Sequence, residues 1–310
     1  MSAIASRLGR SRSTVCREVA RNRDRGTGRY TPYRAGEMAA ARRRRPKPRK
    51  LEDRRLAAAV QAKLDVHWSP EQISHWLAAE YPDNEGMNAS TETIYQAIYI
   101  QAKGQLKRNI SQQLRSGRTA RRPRTAPDAR KPRFREPMVM ISERPPEVED
   151  RAVPGHWEGD LITGAANKSA IGTLVERSSR NVILLHLPDG HGSGKVQEAI
   201  VRKMARLPKL MRNSLTWDQG SEMALHGKIS VALDMDVYFC DPHSPWQRGA
   251  NENTNGLLRQ YFPKGTDLSI FPEEYLDAVA EELNDRPRKT LGWRKPSEVF
   301  LELINDSLTA

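Results

Sequence analysis

The sequence predicts a multidomain protein: all-α units in the N-terminal part, then an α/β domain on a mixed five-stranded sheet. Three observations lead there. The chain has 310 residues, about twice a typical single domain. Its charge is divided, with 32 Lys/Arg against 17 Asp/Glu in residues 1–150 and 19 against 21 in residues 151–310. Short apolar repeats of helical period fill the first hundred or so residues, whereas strand-like runs alternate with helical ones in the C-terminal half.

The elements follow in order. Ile4, Ala5 and Leu8, then Val15 and Val19, predict two short amphipathic helices broken at Gly9, with Ser11 or Ser13 as N-cap. Over residues 1–30 this reads as a truncated helix-turn-helix whose second helix offers Ser13, Thr14, Arg17 and Arg21 to base edges and phosphates. Any small helical hairpin would share the spacing. Residues 31–50 read as a basic linker or a short basic helix lying against phosphates, with the run Arg42-Arg43-Arg44-Arg45 a second DNA-contacting candidate. A second helical unit spans 51–102: Ser69-Pro70-Glu71-Gln72 is a capped helix start, Ile73, Trp76 and Leu77 its buried stripe, and Ser90 opens the next helix. That pair permits a helix-turn-helix or a plain helical spacer. Residues 103–137 are again a basic, Pro-interrupted linker, and 138–310 form the α/β domain. Its strands are expected near 155–163, 169–176, 181–187, 214–218 and 235–240, with helices near 195–207 and 251–261.

Composition excludes some classes. No run approaches the roughly 18 apolar residues of a membrane span, and no secretory h-region opens the chain. Cys16 and Cys240 are too few for a disulfide framework or a structural zinc site, so a reduced, cytoplasmic protein is expected. The N-terminal basic excess is an electrostatic footprint for polyphosphate, and points to nucleic acid ahead of a solubilising tail or attraction to anionic lipid.

Three carboxylates of the C-terminal half stand where an element would expose them: Asp160 on the first strand, Asp218 at the end of the fourth, and Glu252 at the opening of a polar helix. Such a trio suits two-metal phosphoryl transfer, with Mg²⁺ or Mn²⁺ ions about 3.5–4 Å apart held by carboxylate oxygens. Without cations, clustered acids repel. With 21 acids in this half, spacing alone selects no triple, and local sequence must do so. Glu158 reads as a structural neighbour of Asp160, Glu222 as a helix-start acid, Trp157, Trp217 and Trp246 as packing, and His156 and His243 as local hydrogen-bond partners.

Local sequence does select. Trp157-x-x-Asp160, Asp218-x-Gly220 and His243-Ser244-Pro245 leading to Gly249-x-x-Glu252-x-x-Asn255, with 33 residues between Asp218 and Glu252, resemble the signature of the retroviral-integrase superfamily. The block Pro245-Trp246-Gln247-Arg248-Gly249-x-Asn251-Glu252-Asn253-x-Asn255-Gly256-Leu257-Leu258-Arg259 is similar to the insertion-sequence-thirty family of bacterial transposases. So are Pro263-Lys264-Gly265-Thr266, the stretch Leu283-Asn284-x-Arg286-Pro287-Arg288-Lys289-Thr290-Leu291-Gly292-Trp293, and Trp68-Ser69-Pro70-Glu71-Gln72-Ile73.

The resemblance implies an RNase H-like integrase core in which Asp160, Asp218 and Glu252 are catalytic and hold two Mg²⁺ or Mn²⁺ ions. It implies cleavage at an element's terminal inverted repeats and transfer of the 3′-hydroxyl to target DNA, by a homo-oligomer on paired ends, with no covalent intermediate, membrane or small-molecule substrate. Arg259, seven residues past Glu252, would reach a DNA phosphate beside the ions or remain a solvated charge. The chain starts at the equivalent of the family's second helix, so a misplaced start or a decayed copy is an expectation too. The competing class is a non-catalytic helix-turn-helix regulator.

Overall fold

The computed structural model describes residues 1–24, 26–43, 50–101, 137–145, 153–241 and 244–309. The chain divides into two compact units, residues 1–57 and 58–310.

In the first unit α1 (Ser2–Arg7), α2 (Arg12–Asn22) and α3 (Pro32–Arg43) pack in succession. Gly9, at φ +58°, makes the sharp exit from α1. Ser11 then caps α2, its hydroxyl accepting the Thr14 N–H at 3.2 Å. Ala5, Val15 and Ala35 are buried. Asp24 closes the α2–α3 loop by accepting the N–H groups of Gly26 and Thr27 and pairing with Arg34 of α3.

The second unit takes in most of α4 (Arg54–Asp65), then α5 (Pro70–Glu80) and α6 (Thr91–Gln101). The capping box forms as the sequence predicts: Ser69 accepts from the Gln72 N–H, and the Gln72 side chain accepts from the Ser69 N–H. Ile73, Leu77 and Ile94 are buried. Trp76 of the expected stripe is only half-buried, because it stands edge-on to Trp68 with the Lys63 ammonium over both rings at 4.4 and 4.7 Å. The start of α5 is fastened to a loop far along the chain. Gln72 donates to the Pro287 carbonyl at 2.7 Å, Glu71 pairs with Lys289 at 2.9 Å, and His75 stacks on Trp293 at 3.8 Å.

Across the sheet lie, in order, Val139–Met140, Asp236–Phe239, Ser214–Trp217, His156–Thr163, Ala170–Glu176 and Val182–Leu187. β2 (His156–Thr163), β3 (Ala170–Glu176) and β4 (Val182–Leu187) form an antiparallel meander; β5 (Ser214–Trp217) lies parallel to β2, and β6 (Asp236–Phe239) parallel to β5. The sheet has six strands, not the expected five. The sixth is β1 (Val139–Met140), which pairs parallel with β6. Two residues carry no alternation, so only pairing to the β6 edge makes them a strand. Helices α7 (Ser193–Met204) and α8 (His226–Leu233) lead to β5 and β6, followed by α9 (Gly249–Leu258), α10 (Glu273–Asn284) and α11 (Pro296–Thr309).

Strand alternation sends side chains to two cores. Trp157, Leu174, Leu185, Leu215 and Trp217 pack with α7 and α8 residues such as Ile200 and Ile229. Ile162, Ile171, Val175 and Leu184 pack on the other face with Leu258 of α9 and Leu276 and Leu283 of α10. Gly159 lies between them on β2, where a Cβ would sit 2.0 Å from the Trp217 ring. Gly159→Ala is therefore expected to cost about 1–3 kcal/mol of stability by overpacking, read as a lower urea midpoint.

Candidate active site

On β2, Glu158, Asp160 and Ile162 share the face that meets α9. Glu158, 2% exposed, is the anchor for that helix. One carboxylate oxygen accepts the N–H groups of Ala250 and Asn251 at 3.1 and 3.2 Å, and the other pairs with Arg177 at 3.3 Å. A carboxylate there meets both the unfilled N–H groups and the positive end of the helix. The Asn251 amide donates to the Glu158 carbonyl at 2.9 Å, and its oxygen accepts the Thr173 hydroxyl at 2.7 Å. These bonds fix α9 across β2 and β3, so that Asn255, one turn on, donates to Asp160 at 2.9 Å.

Register brings two of the three expected acids together. β2 and β5 pair in parallel as His156 with Ser214, Trp157 with Leu215 and Glu158 with Thr216. Asp160 and Asp218 each lie two residues beyond the last of these pairs, hence level with each other at the carboxyl end of β5. The guanidinium of Arg248 joins them. It lies 3.2 Å from Asp160 and 3.4 Å from Asp218, and it also donates to the Gly159 carbonyl at 3.0 Å. Burial raises the pKa of Asp160; Arg248 opposes the shift, and the Asp218 charge adds to it. Burial raises Asp218 likewise, again opposed by Arg248 and reinforced by Glu222.

Glu252, the third expected acid, is exposed on the first turn of α9, three residues from Asn255 and so on a neighbouring part of the helix surface. Among the described residues no three His, Cys, Asp or Glu side chains converge as ligands for one ion. What the structure assembles is a facing carboxylate pair, with Glu252 on the first turn of the helix whose Asn255 binds Asp160. The donor set nevertheless suits a hard cation. It consists of carboxylate oxygens together with the Asn255 side-chain oxygen, which is buried and has no hydrogen-bond partner.

The remaining candidates fall into place individually. Arg259 is half-buried and donates to the carbonyls of Thr163 and Phe262 at 3.1 and 3.4 Å, tying the end of α9 to the end of β2. Ser13, Thr14, Arg17 and Arg21 are all exposed on α2. Arg42 folds back onto the end of that helix, donating to the Arg21 carbonyl and to Asn22. Arg44, Arg45, the Arg43 side chain, His243 and the Trp246 side chain lie outside the described residues. His156 is buried against the Ser214 hydroxyl at 2.7 Å, and burial with Arg177 nearby pushes its pKa down to about 4, which keeps it neutral. Trp157 donates to the Met211 carbonyl at 2.8 Å. Sequence reasoning missed Arg248 and Asn255, both inside the block around Glu252. Glu222 accepts the Trp217 indole N–H at 3.2 Å beside Asp218.

Residues 150–245 match the family model described as Integrase core domain, which implies a divalent metal cofactor. The chain is 48% identical to the transposase for insertion sequence element IS1086 of Cupriavidus metallidurans, over 97% of this chain and 89% of that one. It is 45% identical to the transposase InsI for insertion sequence element IS30C of Escherichia coli, over 96% and 78% of the two chains. A third relative is the transposase for insertion sequence element IS4351 of Bacteroides fragilis, 36% identical over 99% and 92%.

Proposed function

The chain belongs to the insertion-sequence-thirty family of transposases, and on that premise we propose that it cuts the terminal inverted repeats of an insertion element and joins the freed ends to target DNA at the Asp160–Asp218 pair. The observation that carries this reading is the level placement of two acids on adjacent parallel strands, beside a helix that bears a third. Asp160, Asp218 and Glu252 would hold two Mg²⁺ or Mn²⁺ ions, which when bound supply an acidified water and neutralise charge on the scissile phosphate.

The chain's own groups supply alignment. The Asn255 amide fixes one oxygen of Asp160, and the Leu161 N–H fixes the other at 2.8 Å. The Gly220 N–H holds Asp218 at 3.2 Å. Glu158 holds α9, and with it Glu252, against β2. Water attacks first and the released 3′-hydroxyl second, so no side-chain nucleophile is needed. The exposed face of α2 offers Ser13, Thr14, Arg17 and Arg21 to the repeat, and the reaction runs on paired ends in a homo-oligomer. Among the described residues no helix is long and apolar enough to cross a membrane.

The test uses the purified chain, labelled duplexes carrying the element ends, and Mg²⁺. Nicking at the repeat boundary followed by joined product is expected. Binding without any cut strand would leave a DNA-binding regulator, and cutting without joining a plain nuclease.

A further inference from the structure

Arg248 is the least expected member of the site. It closes the short turn Pro245–Arg248 directly ahead of α9, and only 9% of it is exposed. A guanidinium keeps its charge at any accessible pH, so burying it demands partners. Its partners are the Gly159 carbonyl and the two acids assigned to the metal ions. The same charge lies where those acids would otherwise repel each other.

We propose that Arg248 is a positioning residue that acts as an exchangeable counter-cation, holding Asp160 and Asp218 face to face until a divalent ion takes its place on Asp218. The inference rests on the reading of that pair as an ion site. Of the two ion pairs, the one to Asp218 is the longer, at 3.4 Å against 3.2 Å, and the Asp218 side chain is the more exposed, 43% against 22%. That pair is the one that opens. The 3.0 Å bond to the Gly159 carbonyl keeps the guanidinium on β2 after Asp218 is released. Every carboxylate oxygen of the pair has an N–H partner: Leu161 and Arg248 on one of Asp160 and Asn255 on the other, Gly220 and Arg248 on the two of Asp218. The acids are thus aimed before any ion arrives. The cost is that an arriving ion must overcome a resident positive charge, so Arg248 weakens ion binding while it supports the ion-free fold.

The experiment compares the full-length wild type with Arg248→Gln by titration with Mn²⁺ alone and by melting in EDTA. The glutamine variant is expected to melt lower in EDTA and to bind Mn²⁺ about tenfold more tightly, because the competing charge is gone. Arg248→Lys, which keeps the charge, should return the Mn²⁺ affinity toward the wild-type value. Damage to packing would not tighten ion binding, so equal or weaker Mn²⁺ binding by Arg248→Gln overturns the proposal. In the Asp218→Asn background the glutamine substitution should lower the EDTA melting point by less than in the wild type; an equal loss marks Arg248 as packing only. If Arg248→Gln alone does not fold, the Asp218→Asn/Arg248→Gln double variant should fold, since it removes one charge of each sign, and its failure also overturns the proposal. A wild type that binds no Mn²⁺ sinks the ion-site reading together with this one. A wild type that binds it, with the glutamine variant unchanged, sinks this proposal alone.

Discussion

Asp218→Asn is expected to lower Mg²⁺-dependent nicking of end DNA by more than about 100-fold, beyond what loss of an outer-shell partner costs a metal site, while duplex binding persists. The asparagine keeps the size of the side chain and an oxygen for the Gly220 N–H. It removes a charge that raises the pKa of Asp160, so the folded chain loses a repulsion as well as half of a salt bridge to Arg248. The loss of rate should therefore come with little change in melting temperature. Gel shift and cleavage of one labelled duplex, read side by side, check both halves. Retention of nicking within a few-fold of wild type would move the chemistry away from this pair.

Glu158→Ala is expected to have the largest effect on stability, about 3–5 kcal/mol, the range for breaking a buried ion pair by removing one partner. Two helix N–H groups lose their acceptor and Arg177 loses a carboxylate in the same substitution. Urea unfolding followed by circular dichroism measures it. Glu158→Gln should lie between, because an amide oxygen still accepts from Ala250 and Asn251. A loss below about 1 kcal/mol for the alanine variant would mean that α9 is held by its apolar face alone.

Much of this fold is visible in the residues themselves. Helix starts with a side-chain cap, Ser11 and Ser69, are local chemistry, and both form. Five strands follow from runs long enough to show a pattern. β1 does not, since its two residues gain strand geometry only from β6. At the site, Asp160 and Asp218 are legible through their local sequence, Trp157-x-x-Asp160 within a strand-like run and Asp218-x-Gly220 at the end of another. Their placement level with each other is not, because parallel register is set by pairing between distant segments. Arg248 and Arg259 show the limit most plainly. Both are Arg near Glu252 in sequence, yet one turns in to the carboxylates and the other to two backbone carbonyls. Which way a long flexible side chain turns depends on unfilled acceptors that only the folded backbone supplies.

The fastening of α5 to the 286–293 loop bears on how the molecule can be trimmed for study. Gln72 and Pro287 stand 215 positions apart, and Glu71 with Lys289 and His75 with Trp293 repeat that long closure. A fragment cut to the family-matched stretch, residues 150–245, would discard both walls of this clasp. A shortened version beginning near residue 58 leaves the clasp intact.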